Sequence, residues 1–117
     1  MRSLPSTTLL IAFGAALALA ACAERASGPP GAETVTIAVI PKGTTHEFWK
    51  SIHAGADRAA RELGVEIYWK GPQKEDDRAQ QITVVEDFIS RGVDGIVLAP
   101  LDDRALMRPV RDAVREG

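Results

Sequence analysis

The sequence predicts an α/β fold, a doubly wound parallel sheet with strand order 2-1-3 built from three strand-then-helix units. Two segments carry the prediction first: "TVTIAVI" (Thr34–Ile40) and "GIVLAP" (Gly95–Pro100) are nearly continuous in apolar residues, as strands covered on both faces must be. Between them, "VEIYWK" (Val65–Lys70) alternates Val65, Ile67 and Trp69 with Glu66, Tyr68 and Lys70, which suits an edge strand with one more exposed face. A helical pattern follows each strand, and right-handed crossovers then place the alternating strand outermost.

The first helix is expected over His46–Leu63, with Phe48, Ile52, Gly55, Ala56, Ala59 and Leu63 forming the sheet-facing stripe and Gly64 ending it. Phe48 and Trp49 are adjacent, about 100° apart on a helix, so one stripe holds only one of them comfortably. Phe48 continues the stripe and is assigned partly to the core; Trp49 lies off it and is free to meet a ligand. The second helix is expected from about Asp77 to Arg91, with Ile82, Val85 and Ile89 inward, Asp77 and Gln80 in capping-box spacing, and Gly92 beyond its end. A third helix starts near Asp102 or Asp103, and Pro109 inside it implies either a kink or a fresh helix beginning near the proline. Leu106, Val110 and Val114 keep helical spacing there, which an open loop would not explain.

Ahead of the fold lies a secretion leader. Met1–Ala21 has a basic start at Arg2 and an apolar run, Leu9–Ala20, too short for a bilayer span of roughly 20 residues. Its end, Leu19, Ala20, Ala21, Cys22, resembles the bacterial lipobox, which implies cleavage before Cys22 and lipid on its thiol. An ordinary cleavage site beside an incidental cysteine is the plainer alternative, but a lone cysteine in a secreted chain has no disulfide partner. Ala23–Glu33, rich in Ala, Gly, Pro and Ser, reads as part of a flexible tether over residues 22–33, with the folded part beginning at residue 34. The net charge is −2 for the whole chain and one unit more negative without Arg2. A mild acidic balance without basic clusters argues against nucleic acid as a partner.

Ligands of open parallel sheets bind beyond the carboxyl ends of the strands, which points to Pro41–Glu47, Gly71–Asp76 and Leu101–Asp103. Neither GxGxxG nor GxxxxGK[ST] occurs there, and the acidic pair of a phosphoacceptor site is replaced by Pro41 and Lys42. No GxSxG occurs either, and His46 and His53 lack a partnering nucleophile or a metal-binding carboxylate set. No cofactor or metal is therefore expected. What remains is Lys42, Thr44, Thr45, His46, Trp49, Trp69 and Asp102: aromatic rings for the C–H face of a polar organic molecule such as a sugar, and charged or imidazole groups for its hydroxyls. His53 is expected to be a solvated helix residue.

The whole folded part resembles the type I periplasmic substrate-binding proteins of ABC transporters, in particular their ribose-binding-like, sugar-binding branch. "QITVVEDFISRGVDGIVLAPLDDRAL" (residues 81–106) is similar to that family's passage, and "THEFWKSIHAGADRAARELG" to its aromatic-led first helix. Where such proteins read Asn-Pro-Phe-Phe, this chain has His46, Glu47, Phe48 and Trp49, so the resemblance implies ligand contacts from His46, Phe48 and Trp49. Asp102 matches an aspartate that holds sugar hydroxyls, and Lys42 stands where a small hydroxyl residue is common. The resemblance further implies no enzymatic activity, a sugar-like ligand, a membrane ABC permease as partner, and a periplasmic, envelope-anchored location. It covers part of one lobe of a two-lobed family, so weak binding by this chain alone is expected. Two other readings stand beside it: a sensory lipoprotein presenting a sugar-like signal to a membrane receptor, and a small secreted α/β enzyme, for which no nucleophile or base is found.

Overall fold

The computed structural model describes residues 33–117. The secretion leader, Cys22 and the tether before Glu33 lie outside the described residues. Six elements alternate: β1 (Thr36–Ile40), α1 (Glu47–Leu63), β2 (Glu66–Trp69), α2 (Arg78–Arg91), β3 (Gly95–Leu98) and α3 (Met107–Glu116). The strands form one parallel sheet of order β2-β1-β3, with Ala38 opposite both Tyr68 and Ile96. β1, the most apolar segment, takes the centre. It starts at Thr36 rather than Thr34 because its parallel partners begin only at Glu66 and Gly95.

The core lies between this sheet and α2. Ala38 and Ile40 of β1 meet Val84, Val85 and Phe88 of α2 and Leu106 ahead of α3, all buried. Such contacts dominate the stability of a small domain, since each large apolar side chain removed from water contributes about 1.5–3 kcal/mol. Tyr68 lies 6.0 Å from the Phe88 ring, centroid to centroid. The edge strand's alternate face, expected to be the more exposed one, is thus covered by an aromatic pair at that point. The Arg91 guanidinium sits 5.5 Å from the centre of the same Phe88 ring.

The helix ends follow their residues. Gly64 and Gly92 both adopt φ 68° as C-caps of α1 and α2, a left-handed conformation that side chains with a Cβ resist. Asp77 caps α2 by accepting from the Gln80 amide at 2.9 Å. The reciprocal half of the expected capping box is absent, because Gln80 Oε1 accepts instead from the Gln73 amide at 3.1 Å. Pro109 resolves the third helix: Asp103–Leu106 form a turn, and the regular helix starts afresh at Met107, so the proline lies in its first turn, where its missing amide costs nothing.

The sheet-facing stripe of α1 differs from expectation. Trp49 and Ala60 are its buried residues, whereas Phe48, Ile52 and Leu63 are exposed, so the helix is turned by about one residue. Two contacts hold it so. His53 stacks on Trp69 of β2, with ring centroids 4.4 Å apart and planes inclined by 8°, and the Trp49 indole N–H donates to Glu75 Oε1 at 2.7 Å. A flat aromatic stack and a buried indole with its donor satisfied outweigh the apolar stripe. His53 is accordingly half-buried against the sheet, 3.6 Å from Asp57, rather than solvated.

At the amino edge, Asp94 Oδ2 accepts from the Thr36 amide at 2.7 Å and the Thr36 hydroxyl at 2.8 Å. These donors, the amide first, hold the Asp94 carboxyl below the ordinary aspartate range. A carboxylate with a lowered folded pKa adds stability that is fully present above its unfolded value of about 3.9 and is lost as pH falls through the folded one. Asp94→Asn should therefore flatten the acid limb of the stability profile and lower stability near neutrality, as read from urea midpoints across pH. An unchanged acid limb would contradict this role.

Candidate functional site

Three turns meet at the carboxyl edge of the sheet, and one buried side chain ties two of them together. α2 crosses behind the central strand, so its first turn brings Gln81 between the ends of β1 and β3. Gln81 is 0% exposed. Its Nε2 donates to the Pro41 carbonyl at 3.1 Å and the Ala99 carbonyl at 2.9 Å, and its Oε1 accepts from the Leu101 amide at 2.8 Å. Both amide donors are thereby used inside the protein, which is the condition for burying such a group without penalty.

The first turn is pinned on its other side to the β2–α2 turn. Thr44 donates to the Pro72 carbonyl at 3.3 Å and Thr45 to the Gln73 carbonyl at 3.2 Å. With the Trp49–Glu75 bond, these contacts set the direction of the α1 N-terminus. His46 is the N-cap: its Nδ1 accepts from the Phe48 amide at 3.2 Å. An imidazole accepting through Nδ1 carries its proton on Nε2, which leaves an N–H donor on the exposed side of the ring. Phe48, 56% exposed, stands edge-on to Trp49 at 5.0 Å, while Trp49 is only 9% exposed. The exposed ring of the pair is Phe48, and Trp49 is the buried ring it packs against.

On the β3 side, Asp102 Oδ1 accepts from the amides of Ala105 at 2.7 Å and Arg104 at 3.0 Å, and its Oδ2 from Arg78 Nη1 at 3.0 Å. The Ala105 amide first, then the Arg78 guanidinium, lower the carboxyl's pKa, so it is ionised throughout the neutral range. Its carboxylate is held in one orientation by its own turn and by a cation from the start of α2. Lys42 lies half-buried in the first turn.

The expected residues are thus partly united. Lys42, His46, Phe48 and Trp49 come together around the β1–α1 turn, and Asp102 stands beyond the neighbouring strand end. Trp69 does not join them, since its ring is taken up beneath α1 by His53. Gln81, Arg78 and Glu75 complete the edge. Gln81 had a legible signal, because it falls one turn before Val84, Val85 and Phe88 on their own face; Arg78 and Glu75 had none, because their partners lie 24 and 26 residues away in the chain.

A periplasmic binding protein domain model matches residues 37–117. The chain belongs to that family. A D-ribose/D-allose-binding protein of Pseudomonas aeruginosa is 34% identical to this periplasmic binding protein domain over 87 residues, 73% of this chain and 27% of the relative. Among solved structures, a carbohydrate transporter solute binding protein from Agrobacterium radiobacter, in complex with D-arabinose, superposes with a TM-score of 0.69 at 36% identity, covering 71% of this chain and 28% of the other. An ABC transporter periplasmic solute binding protein from Actinobacillus succinogenes with bound D-allose gives 0.69 at 27% identity, covering 72% and 29%. The chain therefore spans just over a quarter of the length of these relatives. All three are solute-binding proteins, not enzymes.

The division of labour between the two aromatics is open to test. Trp49→Ala should destabilise the fold by about 2–4 kcal/mol, whereas Phe48→Ala should change it by no more than about 0.5 kcal/mol. Urea unfolding of both variants decides the point; a larger loss for Phe48→Ala would reverse the assignment.

Proposed function

We propose that this protein is a lipid-anchored substrate-binding component of an ABC importer, capturing a sugar or sugar-like molecule, and that the carboxyl edge described above is one wall of its cleft. The observation that carries the reading is the fixed Asp102 carboxylate, ionised and aimed by Ala105 and Arg78. It stands across the sheet edge from an exposed ring, Phe48, and an imidazole donor, His46. The lone pair left on Asp102 Oδ2 accepts a sugar hydroxyl in a directional hydrogen bond, and a ring covers the adjoining C–H face. Lys42 adds a cation on the same side. The sugars bound by the relatives support this ligand class.

Capture in this reading is binding without chemistry: a second lobe closes over the ligand, and a membrane permease recognises the closed form. Trp49 contributes indirectly, by holding Phe48 in place. Cys22 would anchor the protein to the envelope on the periplasmic side through lipid, supported by the Leu19–Cys22 sequence.

Titration of the chain with D-allose, D-ribose or D-arabinose should move amide resonances of residues 42–49 and 101–105 with millimolar affinity, and Asp102→Asn should abolish the response without unfolding the domain. Shifts spread evenly over the surface, or none at saturating sugar, would refute the site. For the anchor, Cys22→Ser should eliminate labelling by a fatty-acid probe, and persistent labelling would exclude lipid at that residue.

A further inference from the structure

The basic face of α3 has no part in the cleft. Arg108, Arg111 and Arg115 are spaced by three and four residues along α3, which at 100° per residue keeps them within about 60° of one line, and Arg104 lies in the turn just ahead of the helix. With Met107 and Asp112 they line a single concave patch of about 460 Å³. The only acidic member is Asp112, which pairs with both Arg108 and Arg115. Arg104 and Arg111 have no carboxylate within ion-pair distance among the described residues, where every ion pair found involves other groups. Opposite this face, Leu106 and Pro109 are buried, so α3 is pinned to the domain with its arginines turned outward.

The stripe is unlike the rest of the molecule. Four arginines and two carboxylates occupy residues 104–116, in a chain whose net charge is −2. The domain is thus electrically polarised, with its positive side on one helix. A flat, anionic surface would attract that side and repel the remainder, which orients as well as binds. Met107, 46% exposed beside the arginines, supplies an apolar side chain of the kind that sits at a headgroup boundary.

We infer that the arginine face of α3 docks the domain onto anionic phospholipid. The inference rests on the lipid-anchored reading for the nearness of a membrane: the eleven residues Ala23–Glu33 reach at most about 40 Å when fully extended. Within that radius, a modest electrostatic preference suffices to set which side of the domain faces the bilayer, and the stripe is the only strongly cationic helix face among the described residues. An acidic protein surface is the other partner that such a stripe fits; the tethered geometry favours the bilayer, which is always within reach.

The test uses the chain produced without its leader, hence unacylated, and sedimentation with vesicles. Vesicles carrying about 30 mol% phosphatidylglycerol in phosphatidylcholine should bind it at least about tenfold better than neutral ones, and raised salt should erase the difference. Arg108→Glu with Arg111→Glu should remove the preference, Arg111→Lys should keep it, and circular dichroism should show all forms folded. Equal binding to both vesicles, or a preference that survives the charge reversals, overturns the proposal and leaves an acidic protein face as the partner. Fatty-acid labelling of Cys22 in the native chain reports the anchor separately, so failure of the one reading is distinct from failure of the other.

Discussion

A single buried amide holds the carboxyl edge of this sheet together. Strand ends in a parallel sheet leave carbonyls and amides pointing into turns, where the ladder no longer satisfies them. Gln81 takes three of these groups at once: the Pro41 and Ala99 carbonyls and the Leu101 amide. No apolar residue of similar size could do so, and each buried group left unpaired would cost about 1–3 kcal/mol. The helix that carries the core residues Val84, Val85 and Phe88 therefore also spaces the turns that present Lys42 and Asp102. Packing and site geometry share one element.

Around that tie, side chains bonded within the scaffold separate from those left with unused capacity. Thr44, Thr45 and Trp49 are spent on the β2–α2 turn, and His53 is spent on Trp69. The groups left with unused capacity at the edge are the Phe48 ring, the outer nitrogen of His46, Lys42, and the remaining lone pair of Asp102 Oδ2. Side chains already fixed by internal bonds lose little entropy on meeting a small molecule.

Much of the fold was legible because the determining residues act locally. Continuous apolar runs gave the strands β1 and β3, although β3 lies at an edge of the described sheet with Val97 exposed, alternation marked Val65–Lys70 as an edge, Gly64, Asp77 and Gly92 set helix ends, and Pro109 marked a fresh helix start. The face of α1 was not legible. Phe48, Ile52 and Leu63 form the better apolar stripe, and the neighbouring line through Trp49, His53 and Ala60 wins only through partners far along the chain, Glu75 and Trp69. The same non-locality exchanged the parts of the two aromatics and withdrew Trp69 from the edge. His46, Lys42 and Asp102 lie where their turns, counted from the strand ends, place them.

The consequence is a sheet edge that is rigid where it is tied and open where Phe48 and His46 are exposed. Through its bonds to Ala99 and Leu101, Gln81 should make the turn after β3 as firm as the strand before it. Amide hydrogen exchange at Leu101 tests this most directly, since its N–H donates to the buried Gln81 Oε1. Protection matching that of the β1 and β3 core amides is the predicted result; exchange at the rate of an open surface loop would contradict the account.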